Sequence, residues 1–231
     1  HSGSLSGISN RLGELVRTNS ESILAVTLPD DSMKLWNSVA ISSSIHVDQD
    51  THIEVVTYGE HGDSMNSLFT ILTGDGTRWT RIFSLLGSAI RHPVKFAKTL
   101  WPFGWSRRTI VLLVMQSLDN AIQFRPKKRW FSRKVRLSTE QHSDMPNPTY
   151  IDAGNKAAEW IAEKTGGVAQ STLVEAAANI PTTAHILGGV AIGRDAEHGV
   201  VDSDQRLFGY QNLLVCDGSV MPANPGVNPS L

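Results

Sequence analysis

A single cysteine, Cys216, occurs in 231 residues, so no disulfide can close within the chain and no Cys-rich zinc site can be assembled from it. Set in the apolar stretch 213–216, that thiol is expected to be buried rather than to act as nucleophile or ligand. No apolar run reaches the roughly 18 residues needed to cross a bilayer. No G-x-G-x-x-G occurs either, so the chain has no dinucleotide fingerprint of its own. Charge of one sign is also lacking: 21 Lys and Arg against 22 Asp and Glu leave a net charge of -1. That balance gives no global reason to expect nucleic acid and sends any electrostatic partner to a local run. The chain starts at His1 without a charged-then-apolar leader, which leaves signal-peptide arguments open in both directions. What remains is ordinary globular material, 40% hydrophobic and 19% charged, enough for one large domain or parts of two.

Residues 1–22 are rich in Gly and Ser and show no strand of their own, as suits a connector entering from upstream sequence. Over 39–58 the pattern alternates loosely, placing Ile53 and Val55 on one face of a strand and His52, Glu54 and Val56 on the other. A nearly continuous apolar run follows at 109–116. Segments 121–124 and 133–137 come next at hairpin spacing across a basic turn at 126–129, which together predict a meander in an antiparallel sheet. Asn147 before Pro148 predicts a helix cap and first helical position. Ile151, Ala157, Ala158 and Ile161 share one side of that helix, and Gly166 and Gly167 stop it.

Two patterns mimic binding sites. His46, Asp48, His52 and Glu54 mix imidazole with carboxylate but lack any zincin or Cys/His spacing, so no metal is expected. Residues 188–193 have the glycine spacing of a phosphate loop, yet Arg194 and Asp195 stand where Lys and Ser or Thr should follow.

The last twenty residues carry more chemistry. Residues 213–216 read as a short buried strand, with Asp217, Gly218 and Ser219 turning at its carboxyl end, where α/β folds place ligands. Asn228 before Pro229 reads as a helix cap whose free N–H groups and positive dipole end favour negative charge. On pattern alone Asn228 reads as a plain cap, and His185 in AHILGG as a structural histidine.

AHILGG (184–189), FGYQNLLVCDGSVMP (208–222) and GVNPS (226–230), in that order, resemble the carboxyl-terminal signature of the glucose-methanol-choline flavin oxidoreductases, most of all their sterol-oxidising branch. RLGELVRTNSES (11–22) resembles a stretch of the same branch, so the likeness brackets the chain and weakens in its middle. The resemblance implies FAD as cofactor, with His185 and Asn228 beside the reactive flavin nitrogen and the substrate hydroxyl. It implies cofactor contacts at Asp217 and Gly218, and at Asn228, Pro229 and Ser230, whose segment would present backbone N–H to the flavin ring. Glu54, in THIEVV, is the candidate for the strand carboxylate that moves a proton when the sterol double bond shifts; its other reading is a solvated strand residue. Ile186 and Ala184 depart from the proline and aromatic usual in the branch, which bears on the substrate more than on the chemistry.

Between 77 and 108 lie Arg78, Arg81, Arg91, Lys95, Lys98, Arg107 and Arg108, no Asp or Glu, and three of the 6 tryptophans. Phe83, Leu86, Ile90, Val94, Ala97 and Trp101 recur at helical spacing, with Pro93 as a break. Two readings stay open: an amphipathic cover over the sheet with its cations solvated, or a docking surface or lid facing an anionic membrane. Nucleic acid is not expected.

The expected fold is α/β with an α+β substrate domain: an antiparallel sheet flanked by helices, plus carboxyl-terminal segments of a Rossmann-like FAD-binding domain. Residues 1–22 form the connector, 23–178 the substrate domain with a helical insert at 66–108, and 179–231 a truncated FAD-domain segment. The expected function is FAD-dependent oxidation of a hydrophobic secondary alcohol, a sterol or steroid, by a longer chain, the present piece alone being inactive. The alternative is a non-redox lipid-surface or sterol-binding module. A cytoplasmic or peripheral membrane setting is favoured.

Overall fold

The computed structural model describes residues 5–128, 135–142 and 144–229. In chain order its strands are β1 (Val16–Arg17), β2 (Ser22–Thr27), β3 (Ile41–His46), β4 (Thr51–Val56), β5 (Phe69–Ile71), β6 (Thr109–Gln116), β7 (Ile122–Lys128), β8 (Val135–Gln141), β9 (Val168–Thr172) and β10 (Leu187–Gly188). Its α-helices are α1 (Arg78–Arg91), α2 (Pro93–Thr99), α3 (Trp105–Arg108), α4 (Asp152–Thr165) and α5 (Leu173–Ala178). The fold is α/β, with antiparallel sheets flanked by helices. Contacts group 1–20, 117–147 and 184–231 into one compact unit, and 21–116 with 148–183 into another. Residues 117–147, placed by the sequence within a 23–178 domain, therefore associate with the first and last segments instead.

The larger unit is built on a six-stranded antiparallel sheet in the order β3-β4-β6-β2-β9-β5. β6 coincides with the apolar run at 109–116 and pairs along its length with β2 and β4. Its continuous hydrophobicity has a direct cause, since both of its faces are covered. Ile110, Leu112 and Val114 pack with Leu24, Val26 and Ile53 against Ile151 and Ala158, while Val111 packs with Ala25, Phe69 and Trp105 on the other side. Each such side chain contributes about 1.5–3 kcal/mol by leaving water. The alternation expected of β4 holds, with Ile53 and Val55 in the first cluster and Val56 in the second.

α4 crosses the first face so closely that a Cβ on Gly154 would meet Val114 Cγ2 at 2.5 Å. The helix begins later than its Asn-Pro signal predicts, with Ile151 as the cap. Asn147 is diverted elsewhere: it is buried, and its Nδ2 donates to Thr18 Oγ1 at 2.7 Å. The expected glycine stop is present, Gly166 adopting φ 69°.

The smaller unit holds the four-stranded sheet β10-β1-β7-β8. β7 and β8 pair as expected, but β7 continues through Pro126 to Lys128, where a turn was expected, and residues 129–134 lie outside the described residues. No single meander joins β6 to β7, because they belong to different sheets. The break falls at 117–121, where Asn120 is buried and accepts from Ser20 Oγ at 2.9 Å. β1 also corrects the reading of 1–22 as strandless: Val16 pairs with both Gly188 and Ile122.

Beyond β10 the unit is loop-built around Val200, Val201 and Leu207. Two loops cross backbone to backbone there, and a Cβ on Gly193 would stand 2.5 Å from the Gly199 nitrogen, with the reciprocal true of Gly199. The expected buried strand at 213–216 does not form. Leu214 makes one bridge with Arg206 and is 52% exposed, and Cys216 is exposed as well. Only Val215 turns into the small core, which Val200, Val201 and Leu207 already fill. Among the described residues no helix is long and apolar enough to cross a membrane.

Candidate functional site

His185 lies in the smaller unit, half-buried, two residues before β10. That strand is fixed by pairing Gly188 with Val16 and Leu187 with Arg17. The two glycines after it have a steric reason. Gly188 has φ 69° and Gly189 φ 94°, and a side chain on Gly188 would collide with the Leu15 carbonyl.

The Asp217 turn packs against this segment. Asp217 Oδ1 accepts from Ser219 N at 2.8 Å and Ser219 Oγ at 2.5 Å, capping a single 3-10 turn at Gly218–Val220. The Ser219 hydroxyl and backbone N–H together hold the Asp217 carboxyl below its ordinary range, so it is ionised at neutral pH. Ser219 O accepts from Val190 N at 2.9 Å, and a Cβ on Gly218 would stand 2.9 Å from Leu187 Cδ2. The 184–189 and 217–219 blocks are thus in contact.

The loop delivering Asn228 is held by carboxamides. Asn224 is buried; its Nδ2 donates to Leu118 O at 2.6 Å and Asn120 Oδ1 at 2.9 Å, and its Oδ1 accepts from Asn19 N at 3.2 Å. Asn19 Nδ2 donates in turn to Val227 O at 3.0 Å. Buried Arg17 ties the other end of the network, with Nη1 donating to Asn120 O at 2.8 Å and Asp119 Oδ1 at 2.7 Å. Asn228 and Pro229 follow, both half-buried. Ser230 and the helix start expected after Pro229 lie outside the described residues. Asn19, Asn120 and Asn224 escaped sequence reading, because isolated asparagines in turn-like segments carry no period. The one available signal was the Asn-Pro-Gly at 224–226, where Gly226 takes φ 69° against Ser117.

Glu54 belongs to the larger unit. It stands on β4 opposite Ser44 of β3 and Leu113 of β6 and is 6% exposed, so the solvated-strand reading fails. His52 Nδ1 approaches Glu54 Oε1 to 3.8 Å, and the His52 ring stacks on His46 at 4.5 Å between centroids. Asp48, grouped with these residues by spacing, instead closes the β3–β4 turn by accepting from Asp50 N and Thr51 N. Among the described residues no group of three His, Cys, Asp or Glu is arranged to hold a metal.

Residues of the smaller unit offer both polar and apolar groups that could hold a cofactor. An ionised carboxylate caps an exposed turn, a half-buried imidazole and carboxamide lie on fixed segments, and Ile186, Leu214, Met221 and Val227 expose apolar surface on the same segments. Polar groups of these kinds can hold hydroxyls and a ring edge, and apolar ones the faces of a planar ring system.

The chain matches the family described as GMC oxidoreductase over residues 123–231. It is similar to a "Cholesterol oxidase" of Mycobacterium tuberculosis strain H37Rv, 47% identical over 240 residues that cover 99% of this chain and 40% of the relative. A "Cholesterol oxidase" of Acinetobacter baumannii is 42% identical over 230 residues, covering 100% of this chain and 41% of that protein. An "Uncharacterized GMC-type oxidoreductase" of Sinorhizobium fredii matches more locally, at 33% over 100 residues, which is 43% of this chain and 17% of the relative. The chain spans about two fifths of the length of the two cholesterol oxidases.

Proposed function

We propose that the protein is an FAD-dependent oxidoreductase acting on a hydrophobic secondary alcohol, a sterol or steroid 3-hydroxyl. The observation that carries this reading is the contact between the 184–189 and 217–219 blocks within the compact unit that also holds Asn228. His185 precedes a strand that contacts the Asp217 turn, and Asn228 ends a loop clamped by Asn224 and Asn19.

When bound, FAD supplies the acceptor for the hydride that leaves the carbinol carbon. His185 accepts the hydroxyl proton at an imidazole nitrogen, a task suited to a side chain whose ordinary titration range spans neutrality. Asn228, which does not titrate, orients the hydroxyl or the ring edge through its carboxamide. Asp217 and Gly218 would hold the cofactor's hydroxyl-bearing chain, and the segment carrying Asn228 and Pro229 would hold its ring. Glu54, buried on its strand, moves the proton in a double-bond shift of the product ketone, with His52 beside it.

Single-turnover reduction of the bound flavin in the full-length protein tests the assignment. His185→Ala should slow it by about 10²–10⁴-fold, and Asn228→Ala should slow it too, with substrate affinity changed far less. Unchanged rates remove both residues from the site. A full-length protein that purifies without flavin absorbance overturns the redox reading and leaves the lipid- or sterol-binding alternative. Glu54→Gln should abolish isomerisation while sparing oxidation, and an unaltered product ratio would remove Glu54 from the mechanism.

A further inference from the structure

We infer that the helical insert formed by α1 and α2, with the loop that follows, is a docking surface for an anionic lipid bilayer, laid flat in the headgroup region. The inference concerns the larger unit alone and does not rest on the redox chemistry above.

α1 opens with a reciprocal cap, Thr77 Oγ1 accepting from Thr80 N and Thr80 Oγ1 from Thr77 N. Once formed, the helix carries two apolar faces of different fate. Ile82, Leu85 and Ala89 are half-buried on the side that holds Arg81. Trp79, Phe83, Leu86 and Ile90, spaced as i, i+4, i+7 and i+11, form a second stripe that faces solvent, with Phe83 67% and Ile90 82% exposed. Val94, Leu100, Trp101 and Phe103 extend this exposed surface through α2 and its loop.

The outward orientation is fixed from beneath. Arg81 is wholly buried, its Nη1 donating to Thr149 O at 2.8 Å and Asn179 Oδ1 at 3.0 Å, with Nη2 3.5 Å from Glu175 Oε1. The far end of the insert is tied by Asp63, which accepts from Gly104 N at 2.8 Å and Ser106 N at 2.9 Å. Rolling α1 to bury its outer stripe would pull the Arg81 guanidinium out of these bonds, so the apolar stripe stays exposed.

Charge identifies the occupant. Arg78, Arg91, Lys95 and Lys98 are exposed along the insert, while Arg107 is committed to Asp31 at 3.0 Å and Glu60 at 3.1 Å. Between 77 and 108 there is no Asp or Glu. The nearby acids of α4, Glu159 and Glu163, line a cleft at the base of the insert with His92 and Lys95, and no stripe residue shares that lining. An aromatic-rich apolar stripe on a segment that carries exposed cations and no acid of its own complements an anionic membrane interface. A second copy fits less well, because pairing identical surfaces sets basic edge against basic edge. At 14 residues, α1 is about 21 Å long. That is too short to span the hydrocarbon layer and sufficient to lie in its surface.

Vesicle co-sedimentation of the full-length protein decides the matter, with phosphatidylcholine vesicles compared against vesicles also containing phosphatidylglycerol. Binding should require the anionic lipid and fall as salt rises. The triple variant Arg91→Glu, Lys95→Glu, Lys98→Glu should lose about a hundredfold in partitioning, following the cost of a few juxtamembrane cations. Phe83→Ser with Ile90→Ser should lose a comparable amount, and both variants should keep the native near-UV circular dichroism. Equal binding by wild type and either variant, or no binding by wild type, overturns the inference. So does a lipid-free dimer in sedimentation equilibrium that Phe83→Ser with Ile90→Ser abolishes, since the occupant is then another copy. Phe83→Cys in a Cys216→Ser background should react freely with a soluble thiol reagent before lipid is added. Protection at that stage means the chain covers the stripe itself, which also overturns the inference.

Discussion

β6 and α1 are both read from the sequence as apolar elements, yet one is buried on both faces and the other turns its most regular stripe to water. A continuous apolar run located β6 and helical spacing located α1, but neither said which side of α1 would be wet. That choice depends on a polar anchor, the buried Arg81–Glu175 pair, which takes the inward side. Apolar spacing therefore marks a face, and its neighbours decide what the face meets.

The anchor is where this contrast can be broken most severely. Arg81→Met should leave Glu175 buried without its cation and cost about 3–5 kcal/mol, whereas adding Glu175→Met should recover most of that loss. Urea unfolding of the single and double variants measures both, and equal destabilisation of the two would show that the pair does not set the orientation. Next in size, Leu112→Ala in β6 should cost about 2–5 kcal/mol. Leu86→Ala, of the same chemistry in α1, should stay within about 0.5 kcal/mol. Similar losses at the two sites would erase the distinction between the elements.

Acidity sharpens the comparison further. Burial raises the Glu175 carboxyl above its ordinary 4.5, outweighing the attraction of Arg81. The folded form then holds a proton that the unfolded chain has released, so this group's contribution to stability falls as pH climbs from 4.5 to the raised value. Glu175→Gln should flatten that part of the profile in denaturation midpoints measured across it, and an unchanged slope would assign the dependence elsewhere. The smallest effect belongs to the exposed cap. Thr77→Ala should cost about 0.5–1 kcal/mol, visible as extra amide exchange in the first turn of α1 and not in β6.

Much of the framework was legible in the sequence. β6, the β7–β8 pairing, the glycine stop of α4 and the break at Pro93 all follow from local rules, because each residue there meets its determinant within a few positions. The misreadings share another cause. Asn147 looked like a cap and became a buried donor to Thr18, 129 positions away. Residues 213–216 looked like a buried strand, but the small core beside them was already filled by Val200, Val201 and Leu207. For the candidate site, His185, Asp217 and Asn228 were visible through their motifs. The carboxamides of Asn19, Asn120 and Asn224 that hold the last loop were not, since a network joining residues 205 positions apart leaves no spacing to detect.

The crossing of Gly193 and Gly199 has a consequence for how this region can change. Each position excludes a methyl group because of the other's main chain, so both obstacles are relieved by the same parting of the two loops. Alanine at either position alone should force that parting and bear its full cost, and alanine at the second should add little. The pair behaves as one heritable character: a lineage that loses the first glycine has little left to keep the second.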